Sequence, residues 1–344
     1  MSTPAAVAKK PKVLALTYPA FTDQAYLEDF KSKYDLHVLT SPSRTGAIPE
    51  IAKLAAEQGP FSAVLVRMGT LAYEPFDEGL FSPLTPHCKI IASASAGYNE
   101  FDVEWMTRSK IWFCNTRNAV SEATADMSIL LILALLKNMS VAERQAREGR
   151  WKHGLVPTRD PRGLVLGIVG MGGIGKHLAR KAAAFNLRVQ YYNRTRLPTS
   201  TESEYKATYC ATLDELLSTS DIISINCPLN SETTGLIGRK EFAKMKDGVY
   251  FVNTARGLIV DDEALIEALE SGKVKMTGLD VFPEEPAINP YYTTSDKVII
   301  QPHLGGLTDG AFNLSEMECF ENIRACLETG TPVAPVNFVD RAGM

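Results

Sequence analysis

Residues 164–185 read LVLGIVGMGGIGKHLARKAAAF, and this stretch decides the fold. Leu164 to Val169 is an apolar run of strand length, and Lys176 to Phe185 has the composition of a helix. Between them lie Gly170, Gly172, Gly173 and Gly175. A strand that enters a helix through G-x-G-x-x-G makes the phosphate turn of a βαβ unit. Gly170 allows the tight turn, Gly172 lets a pyrophosphate approach the backbone, and Gly175 lets helix and strand pack closely. Gly173 and Ile174 complete the turn, and the N–H groups at the helix start offer partial positive charge to phosphate. A merely glycine-rich turn is the alternative, but it has no need of this strand before it and this helix after it.

Working outward, the same alternation continues downstream. RVQYYN, DIISINCPL, VYFVNTARG, KMTGLDV and KVIIQPH read as strands, and TLDELLS, GRKEFAKM and DDEALIEALESG as helices. The pattern predicts a doubly wound parallel sheet. Upstream, VLALT (13–17), LHVLT, SAVLVR (62–67) and KIIASAS (89–95) read as strands, with a helix over 26–34. A chain of 344 residues is too long for one comfortable core, so this first stretch reads as a second α/β domain. Between the two, Ser121 suits an N-cap and Gly149 a stop, which predicts one long helix. Its apolar stripe of Ile129, Leu130, Leu133 and Leu136 reads as core. The run Ile129–Leu136 is far short of the ~20 residues a membrane span needs. The last helix, near 311–328, has no new strand of its own, so it is expected to return to the first domain.

Composition excludes several function classes. Net charge is −4, hydrophobic residues make up 45% and charged residues 22%, so no nucleic-acid footprint is present. The basic clusters are short: Lys9, Lys10 and Lys12, then Arg194 and Arg196. The six cysteines (Cys88, Cys114, Cys210, Cys227, Cys319, Cys326) form no C-x-x-C pair and no zinc spacing. They are expected to be reduced structural thiols, and no metal is expected. The opening MSTPAAVAKKPK lacks a signal peptide's apolar core, and the closing RAGM is neither a lipidation nor a peroxisomal signal. A cytoplasmic protein is expected.

The second strand of the glycine-loop unit ends at Asn193, 18 residues beyond Gly175. NAD sites favour Asp or Glu near this point, bound to the ribose 2′-OH. A carboxylate would repel a 2′-phosphate, whereas asparagine does not, and the guanidinium of Arg194 can grip one bidentately. Asn193, Arg194 and Thr195, with Arg196 as a further candidate, therefore read as a 2′-phosphate seat. A solvated basic turn is the other reading. NADPH/NADP+ is the expected preference, with NADH as the second choice.

Three motifs fall at the C-terminal ends of predicted strands, where open α/β sheets bind ligands: NTARG, DVFPEEP and QPHLGG. Hydride transfer to a carbonyl carbon needs a proton donor, and histidine titrates in the right range. A nearby carboxylate favours the imidazolium, and arginine matches a substrate carboxylate. His303, Glu285 and Arg256 fit these roles. Each residue taken singly also fits an ordinary structural role; the combination carries the reading.

With VGMGGIG, CPL-x-x-x-T (Cys227 to Thr233), VNTARG, GLDVFPEEP and PHLGG in this order, the chain resembles the D-isomer-specific 2-hydroxyacid dehydrogenases. The resemblance spans nearly the whole length and is densest from Ser121 to Gly306. Within the family, NRTR and the final GG of PHLGG point to the glyoxylate/hydroxypyruvate reductase and fungal D-mandelate-dehydrogenase-like branches. The resemblance implies NADPH-dependent reduction of a 2-oxoacid, either glyoxylate/hydroxypyruvate or a larger 2-ketoacid, to the D-2-hydroxyacid. His303 would give the proton, Glu285 would hold it protonated, and Arg256 would bind the carboxylate and keto oxygen. Asp280 would orient the nicotinamide carboxamide, and Cys227, Pro228, Thr233, Thr254, Ala255 and Gly305 would line the cofactor site. Backbone N–H groups of the loop Ser95, Ala96 and Gly97 would hold the substrate carboxylate, with Arg67, Met68 and Gly69 on a neighbouring loop.

The resemblance also implies a discontinuous substrate-binding domain (1–117 plus 309–344) and an inserted dinucleotide-binding domain (118–308). The expected fold class is α/β, two doubly wound (Rossmann-like) parallel-sheet domains with a cleft between them. A homodimer through the cofactor domain is implied, with a small-molecule partner and neither nucleic acid nor membrane. Two relatives in fold are weighed against this. A formate dehydrogenase would pair its histidine with glutamine rather than Glu285. A dinucleotide-responsive corepressor-like module would bind without turnover, but NRTR does not suit an NAD sensor.

Overall fold

A computed structural model describes residues 9–339; the opening residues 1–8 and the RAGM terminus lie outside them. The chain divides into two compact units, Met1–Val120 with Thr308–Met344, and Ser121–Leu307.

The first unit carries five parallel strands: β1 (Lys12–Ala15), β2 (Asp35–Val38), β3 (Phe61–Val66), β4 (Ile90–Ser93) and β5 (Trp112–Cys114). Their order is β2-β1-β3-β4-β5, a doubly wound sheet whose direction reverses between β1 and β3. The helix Asp309–Thr329 packs on this sheet. Its Cys319, Phe320, Ile323 and Cys326 join Val13, Ala15, Leu65 and Ala92 in one buried cluster.

The second unit carries seven parallel strands: β6 (Val165–Val169), β7 (Arg188–Tyr192), β8 (Ala207–Tyr209), β9 (Ile222–Ile225), β10 (Val249–Asn253), β11 (Val274–Leu279) and β12 (Val298–Ile300). The order β12-β11-β10-β9-β6-β7-β8 reverses direction between β6 and β9, which opens a crevice at their C-terminal ends. Fold and class agree with the expectation of two Rossmann-like sheets.

The long helix expected from Ser121 to Gly149 is instead two helices, Ser121–Leu136 and Met139–Arg147, bent by 66°. Asn138 sits in the left-handed region at φ 50°, a conformation asparagine tolerates better than most residues and one that ends an α-helix. Leu130 is 49% exposed, so it leaves the expected core stripe. The buried face is Ala125, Ser128, Ile129, Leu131, Ile132, Leu135 and Leu136. It packs on the helix Gly173–Ala184 and on β10 and β11. Burying each of the large aliphatic side chains stabilises the unit by roughly 1.5–3 kcal/mol. Gly278 of β11 admits this helix, since a Cβ there would lie 3.0 Å from Leu131 Cβ.

Two edge strands, β5 and β8, and the helices Arg44–Gln58 and Thr199–Tyr205 escaped the sequence reading. The strands span three residues each, too short for a period. The first helix holds Pro49, and the second contains no buried residue, so neither has a clear apolar stripe.

Candidate active site

The glycine turn follows β6 directly. Gly170 has φ 100°, and a Cβ on it would lie 2.6 Å from the backbone N of Cys227. A Cβ on Gly175 would lie 2.5 Å from the Gly170 carbonyl oxygen and 3.2 Å from Ile168 Cγ2. Both positions therefore admit only glycine. Gly172 differs: nothing lies within 4 Å of where its Cβ would be, and as N-cap of the helix Gly173–Ala184 it supplies no capping side chain. The helix start at Gly173 and Ile174 thus lies beside open space, with the positive end of the helix facing it.

Asn193 follows β7 directly, and its Oδ1 accepts the Met171 N–H at 2.7 Å. It braces the glycine turn, and its amide NH2 has no hydrogen-bond partner among the described residues. Arg194 and Thr195 are exposed, and Arg194 is ion-paired with Glu232. Arg196 is committed elsewhere. Its Nε and Nη2 meet both oxygens of Glu202 at 2.9 and 2.8 Å, and its guanidinium lies 5.4 Å from the Tyr209 ring centre. The Arg196 hydrogen bonds and that from Tyr191 bring the Glu202 carboxyl down to about 2.

Beyond β9, Thr233 Oγ1 donates to the Pro228 carbonyl at 2.6 Å, closing the loop that begins at Cys227. Burial pushes the Cys227 thiol up to about 11. Asn226, at the end of β9, has a buried Nδ2 with no hydrogen-bond partner among the described residues. A crevice with an open glycine cradle, an uncapped helix start and an orphaned amide donor fits the phosphates and polar edges of a dinucleotide.

Beyond β10, Asn253 folds the NTARG turn. Its Oδ1 accepts from Ala255 N–H at 3.0 Å, and its Nδ2 donates to the Arg256 carbonyl at 2.9 Å. A Cβ on Gly257 would lie 2.0 Å from the Phe282 carbonyl carbon, so the turn nests against the DVFPEEP loop. The Thr254 hydroxyl is buried against Ser128 Oγ at 2.7 Å, an interaction within the unit.

That loop and the QPHLGG turn meet. Glu285 Oε1 accepts the Phe282 N–H at 2.9 Å, and its Oε2 lies 2.7 Å from His303 Nδ1. Burial raises the Glu285 carboxyl, but the His303 hydrogen bond, the Phe282 N–H and the charges of His303 and Arg256 outweigh it and hold the group below its ordinary value. With Nδ1 turned to the carboxylate, His303 keeps Nε2 for another partner. Asp280, 1% exposed, accepts the N–H groups of Leu304 and Gly305 at 2.7 and 2.8 Å. It therefore shapes the turn that holds His303, which has φ 56°. Burial raises the Asp280 carboxyl against the pull of those two N–H groups. One unit thus brings together His303, Glu285, Asp280 and the charge of Arg256.

A sequence model described as D-isomer specific 2-hydroxyacid dehydrogenase, NAD binding domain, matches residues 129–305. The chain is 57% identical over 99% of its length to dehydrogenase efuE of Hormonema carpetanum, covering 85% of that protein. A glyoxylate reductase structure from Paecilomyes thermophila superposes with TM-score 0.87 at 35% identity, covering 95% of this chain and 98% of that one. The chain belongs to the D-isomer-specific 2-hydroxyacid dehydrogenase family. The holo form of Rhodotorula graminis D-mandelate dehydrogenase gives TM-score 0.88 at 31% identity, covering 96% and 99% of the two chains. As a member of this family, the protein is an NAD(P)-dependent oxidoreductase with a nicotinamide dinucleotide cofactor.

In the other unit of this dehydrogenase, loops 67–69 and 95–97 follow the adjacent strands β3 and β4. Ser95 N–H donates to Ser93 Oγ at 3.2 Å, and Asn115 holds the Ala96 carbonyl at 2.6 Å. The N–H groups of Ala96 and Gly97 have no hydrogen-bond partner among the described residues. Gly69 has φ 80°. Arg67 lies over the rings of Phe21 and Phe312, 5.4 and 5.9 Å from their centres. Its Nη1 donates to the Tyr18 carbonyl at 3.2 Å, and its Nε faces Glu316 Oε1 at 3.3 Å.

Sequence reasoning missed Glu232, Glu316, Asn226 and Asn253. A signal existed for Glu316: it falls one helical turn after Phe312 and one before Phe320, so a charge sits in an apolar stripe.

Proposed function

We propose that this dehydrogenase reduces a 2-oxoacid to the D-2-hydroxyacid with NADPH, His303 supplying the proton. The observation that carries the reading is the 2.7 Å contact between His303 Nδ1 and Glu285 Oε2. It fixes the imidazole's orientation, with Nδ1 on the carboxylate and Nε2 left for the acceptor. When bound, the reduced nicotinamide supplies a hydride to C2 of the acceptor. As negative charge develops on the keto oxygen, the Nε2–H proton of His303 passes to it and leaves a neutral imidazole on Glu285. Arg256 neutralises the acceptor's carboxylate and polarises the keto group. In the first unit, the Ala96 and Gly97 N–H groups, with Arg67, Met68 and Gly69 on the neighbouring loop, are assigned to substrate binding. Asp280 holds the His303 turn. For the cofactor, Asn193 and the exposed Arg194 receive the 2′-phosphate.

We assign the first unit to substrate binding and the second to the cofactor. A homodimer through the second unit is part of this reading, with the exposed Met139, Trp151 and Val156 as its apolar surface, and the cytosol is its compartment. The relatives named for glyoxylate and for mandelate differ widely in acceptor size, which frames the choice of substrates to test. The test is the initial rate of absorbance loss at 340 nm, with NADPH and NADH, against glyoxylate, hydroxypyruvate, 2-oxoisocaproate and phenylglyoxylate. A faster rate with NADPH on at least one acid is expected. NADH preference would overturn the phosphate-seat assignment, and no rate with any acid would overturn the reductase reading.

A further inference from the structure

We propose that Glu232 is a specificity-determining residue of the cofactor site, where its carboxylate competes with the dinucleotide 2′-phosphate for Arg194. The inference rests on the reading of Asn193 and Arg194 as the phosphate seat and adds a residue to it.

Sheet order supplies the geometry. β6 lies between β7 and β9. Arg194 follows β7 and Glu232 lies in the loop after β9, so their ion pair reaches over the end of β6, where the glycine turn begins. The pair therefore spans the crevice at the end that holds Asn193. Glu232 does not reach this place as a loose side chain. Its N–H donates to Asn230 Oδ1 at 2.9 Å, Thr233 N–H donates to the same oxygen at 3.1 Å, and Thr233 Oγ1 ties the loop to the Pro228 carbonyl at 2.6 Å. Arg194, by contrast, follows the braced Asn193 on an exposed turn.

The side chains of Arg194 and Glu232 are 73% and 61% exposed, so water screens the pair and little is lost when it opens. A phosphate monoester carries nearly two negative charges and three acceptor oxygens, and it outbids a single carboxylate for a guanidinium. Binding of a 2′-phosphorylated dinucleotide must nevertheless break the existing pair and leave Glu232 beside a like charge. A dinucleotide with a free 2′-OH needs neither. Glu232 thus weakens NADPH binding selectively and narrows the preference between the two cofactors.

The experiment is a fluorescence titration of the purified protein with NADPH and with NADH, for wild type, Glu232→Gln, Arg194→Ala and the double variant. Both positions are exposed, so the substitutions leave the fold intact. Glu232→Gln is expected to tighten NADPH by about two- to fivefold, the scale of an exposed ion pair, with NADH changed less than NADPH. In the Arg194→Ala background the same substitution should lose most of its effect. Unchanged NADPH affinity in Glu232→Gln, equal tightening of both cofactors, or an undiminished effect without Arg194 would each overturn the competition. Failure of the underlying reading looks different: Arg194→Ala would then weaken NADPH no more than NADH, whatever Glu232 does.

Discussion

The carboxylate of Glu316, wholly buried, lies 3.3 Å from the Nε of Arg67. Its other oxygen accepts the Phe21 N–H at 3.0 Å and the Thr22 hydroxyl at 2.8 Å. The helix that carries Glu316 thereby holds the arginine at the end of β3 against two aromatic rings. Removing one partner of a buried pair leaves an uncompensated charge, at a cost of about 3–5 kcal/mol. Arg67 retains some exposure, so Glu316→Ala should lose about 3 kcal/mol, read as a lower urea midpoint. Glu316→Gln keeps an acceptor for Thr22 and should lose less.

His303→Ala should lower kcat by about 10²–10⁴-fold, the usual worth of a positioned proton donor, while NADPH binding measured by titration is retained. Near-normal turnover would remove His303 from the mechanism. Glu285→Gln should also slow turnover, because a neutral amide replaces the charge-assisted hydrogen bond that orients His303.

Asp280 accepts two N–H groups of the His303 turn, and a Cβ on Gly305 would come within 2.8 Å of Asp280 Oδ2. Asp280→Asn leaves one of those N–H groups facing an amide donor. A drop in kcat of about tenfold is expected, the equivalent of one charge-assisted hydrogen bond. Gly305→Ala should produce a loss in the same direction by displacing the turn. Steady-state kinetics of both variants at saturating NADPH checks this.

Acid should weaken the first unit through Glu50. Burial alone would raise its carboxyl, but the N–H and hydroxyl donors of Thr40 and Ser41 outweigh it and bring it down to about 2. The folded value is depressed, so the stabilisation is present above the ordinary value near 4.5 and is lost as pH falls from there toward about 2. Glu50→Gln should lower stability at neutral pH and flatten that acid dependence, as measured by thermal unfolding across the pH range.

The chain sequence by itself determined the strand–helix alternation, the glycine turn and the three motifs at strand ends. These signals are local: a period of two or 3.6, a residue without Cβ at a sharp turn, a polar residue just past an apolar run. His303 and Glu285 were legible for that reason, each in a loop that follows a strand at the edge where open α/β sheets bind ligands. Only the tertiary structure decided which side chains oppose them. Glu316 beneath Arg67, Glu232 across from Arg194 and Asp280 under Leu304 and Gly305 all join residues from different elements. Their meeting depends on the order of strands in each sheet and on the helix Asp309–Thr329 packing against the first one. Periodicity shows which face of an element is buried, but not which element covers it, because burial against any apolar neighbour satisfies the same pattern.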